Sequence, residues 1–509
     1  MNIRKMESRM NNSNLYNDVY TSYFSKLCIL FVISYFFIQT FIMGHVLNGA
    51  AIDDAEQLVN TSYFALGYGG SQPPLYTWIT IIAFKIFGVN ILTLQIVKFS
   101  LLTATFLGIY VAFRLLDISR LIAAASMLSL FLLPQFLWES QRALTHSIIG
   151  TASCAWLLVA FAYHVNKNSI YSTLFLGIMI TCCVLGKFND CLFIISLFIA
   201  ALTIAPYRKV VLSMNTLIAL AISVILLSAP LIWMLLHKGA LLARTEKFAM
   251  NANSNPWLDR LWGTTDFILA CLGFMITAII VGIFLYYKFK DNRISDQTIK
   301  TNGQKLIFRI ILIGLLITWI IVMLTGTTNV KDRWMQPVLF LSAPAIILYL
   351  ATKCYSPKVF RYVAYMSMIA AFIIIPLLVN YFSLNLFMNK DTNISLLDYK
   401  KIYQEIEKEA PFKTLVGSEF ALLGNMRLLN PEIKAVSVEN PEAINHIEAP
   451  YLIIWSNKKG DMGLMQPQLL AALIKAGIHI QEPIKVIENI GYIHGKGKPV
   501  SIHYTKINP

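Results

Sequence analysis

Charged residues are scarce in this sequence. They account for 14% of its 509 residues, whereas hydrophobic residues account for 57%. A water-soluble protein needs far more polar surface than this composition supplies, so that class is excluded. Apolar runs long enough to cross a bilayer as helices recur instead, and they predict a polytopic α-helical membrane protein.

Cysteines are also few, and a glycine-rich phosphate-binding loop is missing. The adjacent pair Cys182-Cys183 lacks the two-residue spacer of a zinc-chelating pair, and the C-terminal tail contains no cysteine. We therefore interpret the cysteines as membrane packing residues and expect no nucleotide site of the P-loop or Rossmann type. The seven cysteines, all within or beside apolar runs, are Cys28, Cys154, Cys182, Cys183, Cys191, Cys271 and Cys354.

We predict about eleven membrane spans and an interfacial helix. The stretch 73–88 is short, begins with two prolines and contains Lys85, so it is interpreted as interfacial. The first apolar run is too long for the core of a cleavable signal peptide, and we expect it to remain as an anchor. The predicted spans are 27–47, 91–113, 120–138, 143–163, 170–186, 190–205, 211–236, 264–287, 306–324, 335–352 and 362–382.

Basic residues concentrate in alternate loops, and this sets the predicted orientation. With a cytoplasmic N-terminus, these loops lie inside, as the positive-inside rule requires. The acidic first loop, Glu139–Arg142, 237–263, 325–333 and the C-terminal tail then share the outer side. The net charge of +15 is assigned to contacts with anionic membrane lipids. No nucleic-acid partner is expected, because no basic patch is interleaved with aromatic residues.

The composition changes after residue 383. We divide the chain into a membrane domain, 1–382, and a small soluble α/β domain on the outer side, 383–509. Helical periodicity is present in Ser395–Ala410 and Pro467–Ala476. The predicted strands are Thr414–Gly417, Ala435–Val438, Tyr451–Trp455, Ile484–Ile487 and Val500–Tyr504.

An acidic cluster follows the first span. Asp53 and Glu56 are three residues apart and share one face if the segment is helical, whereas Asp54 points away. A carboxylate beside apolar surface is a stronger base toward a hydroxyl group in the same pocket. Aspartates also favour solvated helix starts. Spacing alone leaves both interpretations open.

Further polar side chains lie at the predicted outer face. Glu139 and Arg142 lead into the helix that contains His146, Lys187 follows Gly186, and Arg333 begins a late span. Cations at an outer span entry are disfavoured unless an anion meets them, and a guanidinium matches phosphate well. An interfacial Arg-Trp anchor, a snorkelling lysine and a hydrogen-bonded packing histidine remain open alternatives.

Three of these features together resemble a known family. They are the acidic pair Asp53-Asp54, the segment Pro73-Pro74-Leu75-Tyr76-Thr77-Trp78 and the span entry Lys331–Pro337. With many spans and a C-terminal outer domain, they resemble the GT-C glycosyltransferases of the protein O-mannosyltransferase superfamily, glycosyltransferase family 39. Within it, the pattern is similar to bacterial enzymes that transfer aminoarabinose or galacturonic acid to lipid A and lipopolysaccharide core. The similarity covers about residues 40–350.

The resemblance implies an inverting transfer of a sugar from a polyprenyl-phosphate donor. The acceptor would be lipid A, lipopolysaccharide core, or another lipid or glycan at the outer face of the bacterial inner membrane. Asp53 matches the family's catalytic aspartate, and Asp54 matches the acidic residue that follows it. Ser71 and Gln72 stand where the aminoarabinose branch has an acidic residue and a lysine. A divalent metal therefore remains an open question, and no other cofactor is implied.

We expect the outer loops to form one site with three kinds of residue. Its members are the catalytic Asp53 and Asp54, the donor-phosphate ligands Arg333, Arg142 and Lys187, and the sugar or acceptor contacts Glu56, Gln72, Tyr76, Trp78, Glu139 and His146. A lipid-linked-sugar flippase or transporter is the alternative. It would place ionisable residues at mid-membrane in repeated halves, whereas Lys98 is the main ionisable residue inside a span and no half-repeat is found. A non-catalytic membrane anchor would not need the acidic loop.

Overall fold

The structure is a computed structural model. It describes residues 3–69, 72–239, 255–290, 301–353, 356–384, 386, 394–457, 464–478, 480, 483–494 and 497–508, with side chains from residue 21 onward. Ser71, Cys354 and residues 240–254 of the predicted outer loop 237–263 lie outside these ranges.

The described chain is mostly helical. Its helices are α1 (Ile3–Val46), α2 (Ile52–Asn60), α3 (Leu75–Phe87), α4 (Ile91–Leu115), α5 (Arg120–Leu128), α6 (Ser140–Arg142), α7 (Thr145–Lys167), α8 (Ile170–Gly186), α9 (Cys191–Leu202), α10 (Ala205–Val211), α11 (Met214–Leu236), α12 (Pro256–Lys288), α13 (Asn302–Thr325), α14 (Gln336–Leu339), α15 (Ser342–Lys353), α16 (Pro357–Val379), α17 (Tyr399–Ile406), α18 (Phe420–Leu429) and α19 (Pro467–Lys475).

Eight helices in these ranges are long and apolar enough to cross a membrane, and ten spans result if two bent pairs each count as one. The polytopic helical fold predicted from the sequence is confirmed, and the eight to ten segments of the described ranges that are long and apolar enough compare with about eleven predicted spans. The predicted span 170–186 corresponds to α8, which has only 17 residues. At 1.5 Å per residue it is at the short end of the helices that cross the ~30 Å hydrocarbon core, so 170–186 stays a predicted span.

Both bends occur where the chain cannot continue a regular helix. The segments Arg120–Leu132 and Gln135–Arg142 meet at 75°, and the break between them contains Pro134, which lacks a backbone N–H. Phe188–Leu202 and α10 meet at 120°, with Ile204 in an extended conformation between them. Hydropathy alone predicted straight spans at 120–138 and 190–205, because it measures apolar length and not direction.

The segment 73–88, predicted to be an interfacial helix, contains the helix α3, and its place at the membrane interface stays a prediction. The helix has 13 residues, follows Pro74 and ends at Gly88, whose φ of +77° suits glycine. Beside it, aromatic side chains hold α1, α4 and the segment after α5 together: the rings of Phe106 and Phe131 are 4.5 Å apart, and those of Phe36 and Phe106 are 5.2 Å apart. This packing fixes the bent segment that leads to α7.

The C-terminal residues form an α/β unit around a five-stranded sheet. Its strands are β1 (Thr414–Gly417), β2 (Lys434–Ser437), β3 (Tyr451–Asn457), β4 (Lys485–Ile490) and β5 (Val500–Ile507), in the order β2-β1-β3-β5-β4. The first three strands are parallel, and β5 is antiparallel to β3 and β4. The predicted α/β class is thereby confirmed. The boundary between residues 382 and 383 stays a prediction.

Two helices of this unit differ from the sequence prediction. The helix expected over Ser395–Ala410 is regular only in α17, with a 3₁₀ turn on each side. The helix α18 was not predicted. All its residues from Ala421 to Arg427 are buried, so it shows no alternation between an apolar and a polar face.

Candidate active site

The helix α2 presents the acidic cluster. Asp53 lies in its first turn, half-buried, and its Oδ2 accepts a hydrogen bond of 2.7 Å from the backbone N–H of Leu144. Leu144 is the last residue before α7 and has a left-handed conformation, with φ of +72°. The carboxylate therefore meets the positive end of the α7 dipole, which stabilises an anion.

Asp54 faces away from this position, as its spacing predicted. Its Oδ2 accepts a 2.8 Å hydrogen bond from Lys98 Nζ within α4, and both residues are buried, at 2% and 1% exposure. Gln95 Nε2 lies 3.5 Å from the same oxygen. Asp54 thus neutralises a lysine inside a span, and its predicted catalytic role remains a prediction.

A group of hydrogen-bonded polar side chains lies between α2, α3 and α7. Thr77 donates a 2.7 Å hydrogen bond to Gln57 Oε1, and Gln57 Nε2 lies 3.4 Å from His146 Nε2. The ring of His146 is 6.1 Å from that of Tyr76. Tyr76 is fully buried, and burial with the nearby Asp54 and Asp53 charges raises the pKa of its phenol well above the usual value. Its hydroxyl therefore stays neutral.

Lys187 lies near both Asp53 and Arg333. Its Nζ donates a 2.7 Å hydrogen bond to Ser147 in the first turn of α7. Burial lowers the pKa of Lys187 to about 8; the Asp190 and Asp53 carboxylates oppose this shift, and the Arg333 charge adds to it. Lys187 is therefore close enough to both Asp53 and Arg333 to be affected by their charges.

Arg333 is the cation with a free guanidinium. It is half-buried in a 3₁₀ turn, Asp332–Trp334, and within the described ranges its side chain has no hydrogen-bond or ion-pair partner. The neighbouring Asp332 carboxylate is occupied elsewhere: it accepts hydrogen bonds from Gln135 Nε2, at 2.6 Å, and from the Arg333 backbone N–H, at 2.7 Å. The guanidinium is thus available to an anion.

Arg142, by contrast, is paired. Its Nη2 lies 2.6 Å from Glu139 Oε2, its Nη1 donates a 3.1 Å hydrogen bond to the Tyr381 hydroxyl, and its guanidinium carbon lies 5.4 Å from the centre of the Tyr381 ring. Two predicted site residues therefore bind each other. A phosphate at Arg142 would compete with Glu139, so Arg333 and Lys187 are better placed for that role.

The remaining predicted contacts surround α2 and α3. Glu56 is half-buried and lies one turn after Asp53. Trp78 donates a 2.8 Å hydrogen bond to the Ala65 carbonyl and stacks on Phe64, with ring centres 5.7 Å apart. The backbone N–H of Gln72 donates to the Gly69 carbonyl at 3.4 Å. Trp78 thus holds its own loop together, and its sugar contact stays a prediction.

Sequence reasoning missed Asp190. It is 1% exposed, and in the described part of the chain neither of its carboxylate oxygens has a hydrogen-bond partner. It packs against Gly150 of α7, where any larger side chain would collide with it. The sequence does contain a signal for Asp190, which lies three residues after Lys187 between two apolar runs. Burying an ionisable side chain beside membrane segments costs free energy, so such a residue is a candidate functional residue. Among the described residues, no three His, Cys, Asp or Glu side chains converge on a metal site.

Comparisons with known proteins bear on the fold and the activity of the chain. A family model described as dolichyl-phosphate-mannose-protein mannosyltransferase matches residues 71–233. Two lipopolysaccharide core galacturonosyltransferases of Rhizobium johnstonii are each 24% identical to the chain. The match to RgtB covers 91% of the chain and 94% of that protein, and the match to RgtA covers 95% and 98%.

Solved structures show the same fold. The crystal structure of ArnT from Cupriavidus metallidurans bound to undecaprenyl phosphate matches with a TM-score of 0.56 at 10% identity, over 94% of this chain and 98% of that one. The apo structure of the same protein matches with a TM-score of 0.52 at 10% identity, over 95% and 98%. The structural likeness shows the GT-C fold of a multi-pass membrane protein, and the family model and the two relatives indicate glycosyltransferase activity.

Proposed function

We propose that the protein transfers a sugar, with inversion, from a polyprenyl-phosphate donor to lipopolysaccharide core or a related envelope acceptor. The carrying observation is that Lys187, bonded to Ser147 in the first turn of α7, interacts electrostatically with both the Asp53 carboxylate and the Arg333 guanidinium. A base and a phosphate-binding pair in one place match the needs of this reaction. A transporter of lipid-linked sugars would also bind phosphate but would need no general base.

In the proposed reaction Asp53 is the general base. It takes the proton of the acceptor hydroxyl as the acceptor oxygen bonds to the anomeric carbon. The bond from that carbon to the phosphate oxygen breaks, and the polyprenyl phosphate leaves with the electron pair. A positioned base contributes typically ~10²–10⁴-fold. Displacement from the face opposite the leaving group inverts the anomeric centre.

Arg333 and Lys187 would bind the donor phosphate. A planar guanidinium donates hydrogen bonds to two phosphate oxygens at once. A fixed ammonium adds a second positive charge where negative charge develops on the leaving phosphate. Two comparisons support a polyprenyl-phosphate donor: the family model carries dolichyl-phosphate mannose in its description, and the ArnT structure contains undecaprenyl phosphate. The free guanidinium of Arg333 is the local observation that favours it.

The acceptor and the sugar are inferred from the relatives. RgtA and RgtB are named as lipopolysaccharide core galacturonosyltransferases, so galacturonic acid and the core oligosaccharide are the first pair to test. We further propose that the site faces the outer side of a bacterial inner membrane. This rests on the basic residues of alternate loops, which favour the cytoplasmic side, and on Asp53, Lys187 and Arg333 lying in the other loops.

Mass spectrometry of lipopolysaccharide from cells with and without the gene tests this proposal. Loss of one sugar-sized mass from the core or lipid A, restored by the wild-type gene but not by Asp53→Asn, is the expected result. Purified protein with undecaprenyl-phosphate-linked galacturonic acid and deficient lipopolysaccharide should restore the same mass. Unchanged envelope glycans in the deletion strain, with accumulation of a lipid-linked sugar on one leaflet, would favour a flippase instead.

A further inference from the structure

The helix that carries Asp53 is too short to be stable alone. α2 has nine residues, its N-cap is Ala51, and no side chain of that cap accepts a hydrogen bond. Isolated helices shorter than ~12–15 residues are marginal in water, and their stability in proteins comes from tertiary contacts. Whatever packs on α2 therefore determines where its first turn places the base.

The C-terminal domain binds the chain just before α2. Asn425 of α18 accepts a 2.7 Å hydrogen bond from the backbone N–H of Ala50, and its Nδ2 donates a 3.1 Å bond to the Ala50 carbonyl. Asn425 is 1% exposed, and a third bond of 2.8 Å to the Ala421 carbonyl fixes its amide group. Both backbone groups of a residue three positions before Asp53 are thus held by one side chain.

The same helix caps the other end of α2. Arg427 donates from Nη1 to the Leu58 carbonyl and, at 2.8 Å, to the Thr61 hydroxyl, and from Nη2 at 3.3 Å to the Thr61 carbonyl. These carbonyls form the negative end of the α2 dipole, where a cation is stabilising. Burial lowers the pKa of Arg427 to about 10, so its guanidinium remains charged at neutral pH.

Close packing joins the two helices between these ends. A β-carbon at Gly424 would lie 2.5 Å from the Ala55 carbonyl oxygen and 2.9 Å from Ala55 Cα, so only glycine allows this approach. Beyond α2, Asn440 Nδ2 donates a 2.9 Å hydrogen bond to Asn60 Oδ1. The domain therefore holds α2 at its start, middle and end.

We propose that Asn425 and Arg427 are positioning residues for Asp53, and that the C-terminal domain is a structural part of the active site. This rests on the proposed function, in which Asp53 is the base. The contacts of the domain hold α2 in the orientation in which Asp53, in its first turn, accepts the hydrogen bond from the Leu144 N–H. Without these contacts α2 can still be partly helical, but the Asp53 carboxylate is no longer held in one position. Misplacement of a catalytic group by ~1 Å can lower the rate ~10²-fold.

The test compares Asn425, within α18, with Asn430, the residue that follows α18. Asn425→Ala removes the bonds to Ala50, whereas the control Asn430→Ala removes bonds within the domain, to the Tyr403 hydroxyl at 3.0 Å and the Glu432 N–H at 3.1 Å. Full-length variants in membranes are assayed with undecaprenyl-phosphate-linked galacturonic acid. Asn425→Ala should lower kcat ~10–100-fold with little change in donor KM, and Asn430→Ala should lower it far less.

Two further variants separate positioning from folding. Arg427→Lys keeps a charged donor at the end of α2 and should regain most of the activity that Arg427→Ala loses. In the double variant Asp53→Asn/Asn425→Ala, the rate should equal that of Asp53→Asn alone, since Asn425 acts through that side chain.

Equal rates for Asn425→Ala and Asn430→Ala, or a double variant slower than Asp53→Asn by the full Asn425 factor, would overturn the positioning role. Wild-type transfer by Asp53→Asn alone would instead overturn the proposed base. The two failures therefore have different signatures.

Discussion

Asp54 and Lys98 form an ion pair of 2.8 Å that is almost completely buried, between the first turn of α2 and the membrane helix α4. The pair connects α2 to the membrane helix α4, whereas Asp53, one residue earlier, faces the N-terminus of α7. Adjacent carboxylates in the same helical turn thus have different surroundings. One is neutralised by a lysine, and the other remains half-exposed for chemistry.

The first prediction concerns this pair. Lys98→Met leaves the Asp54 carboxylate buried without its cation, which costs about 3–5 kcal/mol of stability. The apparent melting temperature of the purified protein in detergent should fall clearly. Lys85→Met, at an exposed position on α3, serves as the control and should leave it unchanged. The double variant Asp54→Asn/Lys98→Met should recover part of the loss; no recovery would mean that the pair does not act as a unit.

The second prediction separates the two aspartates by function. Asp53→Asn keeps size and an acceptor for the Leu144 N–H but removes the base, so transfer should fall ~10²–10⁴-fold while the melting temperature stays near wild type. Asp54→Asn should do the reverse, with lower stability and a smaller loss of transfer. Rates and thermal unfolding of both variants decide this. Near-normal transfer by Asp53→Asn with a hydroxyl acceptor would contradict its assignment as base.

Much of the fold is visible in the sequence, for identifiable reasons. β1 matches its predicted bounds, because short apolar runs between turn residues define strands locally. The bend at Pro134 was missed because hydropathy has no direction, and α18 was missed because it is buried all round. Local patterns therefore gave the elements but not their angles.

The site was only partly predictable, since its contacts join distant segments. Asp53, Lys187 and Arg333 stand out as charges beside apolar runs. The partners Lys98 for Asp54 and Leu144 for Asp53 are set by tertiary packing, as is the contact of Asn425 with Ala50 across 375 positions. One sequence without its fold gives no measure of such distances.

The third prediction is that Arg333 binds the donor phosphate. Arg333→Ala should cost about 1.5–3 kcal/mol of donor-dependent transition-state binding, the usual worth of charged hydrogen bonds. Arg333→Lys keeps the charge but loses the planar fork and should be impaired less. Lys331→Ala, two residues away and also half-buried, is the matched control in a donor titration. Small and equal effects of Arg333→Ala and Lys331→Ala would reduce Arg333 to an interfacial anchor.

The last prediction is a pH dependence set by Lys187. Because burial lowers its pKa to about 8, the ammonium of the free enzyme is lost as pH rises through that value, well below the loss for an exposed lysine. A phosphodiester donor stays anionic throughout, so kcat/KM for the donor should decline above about pH 8, and bound donor should shift the decline in kcat to higher pH. Lys187→Arg keeps its charge across this range and should remove the alkaline decline, whereas Lys187→Gln should be weak and pH-independent there. The pH profiles of the three proteins at subsaturating donor check this. A decline near pH 8 that persists in Lys187→Arg would assign the titration to another group and leave Arg333 as the main phosphate ligand.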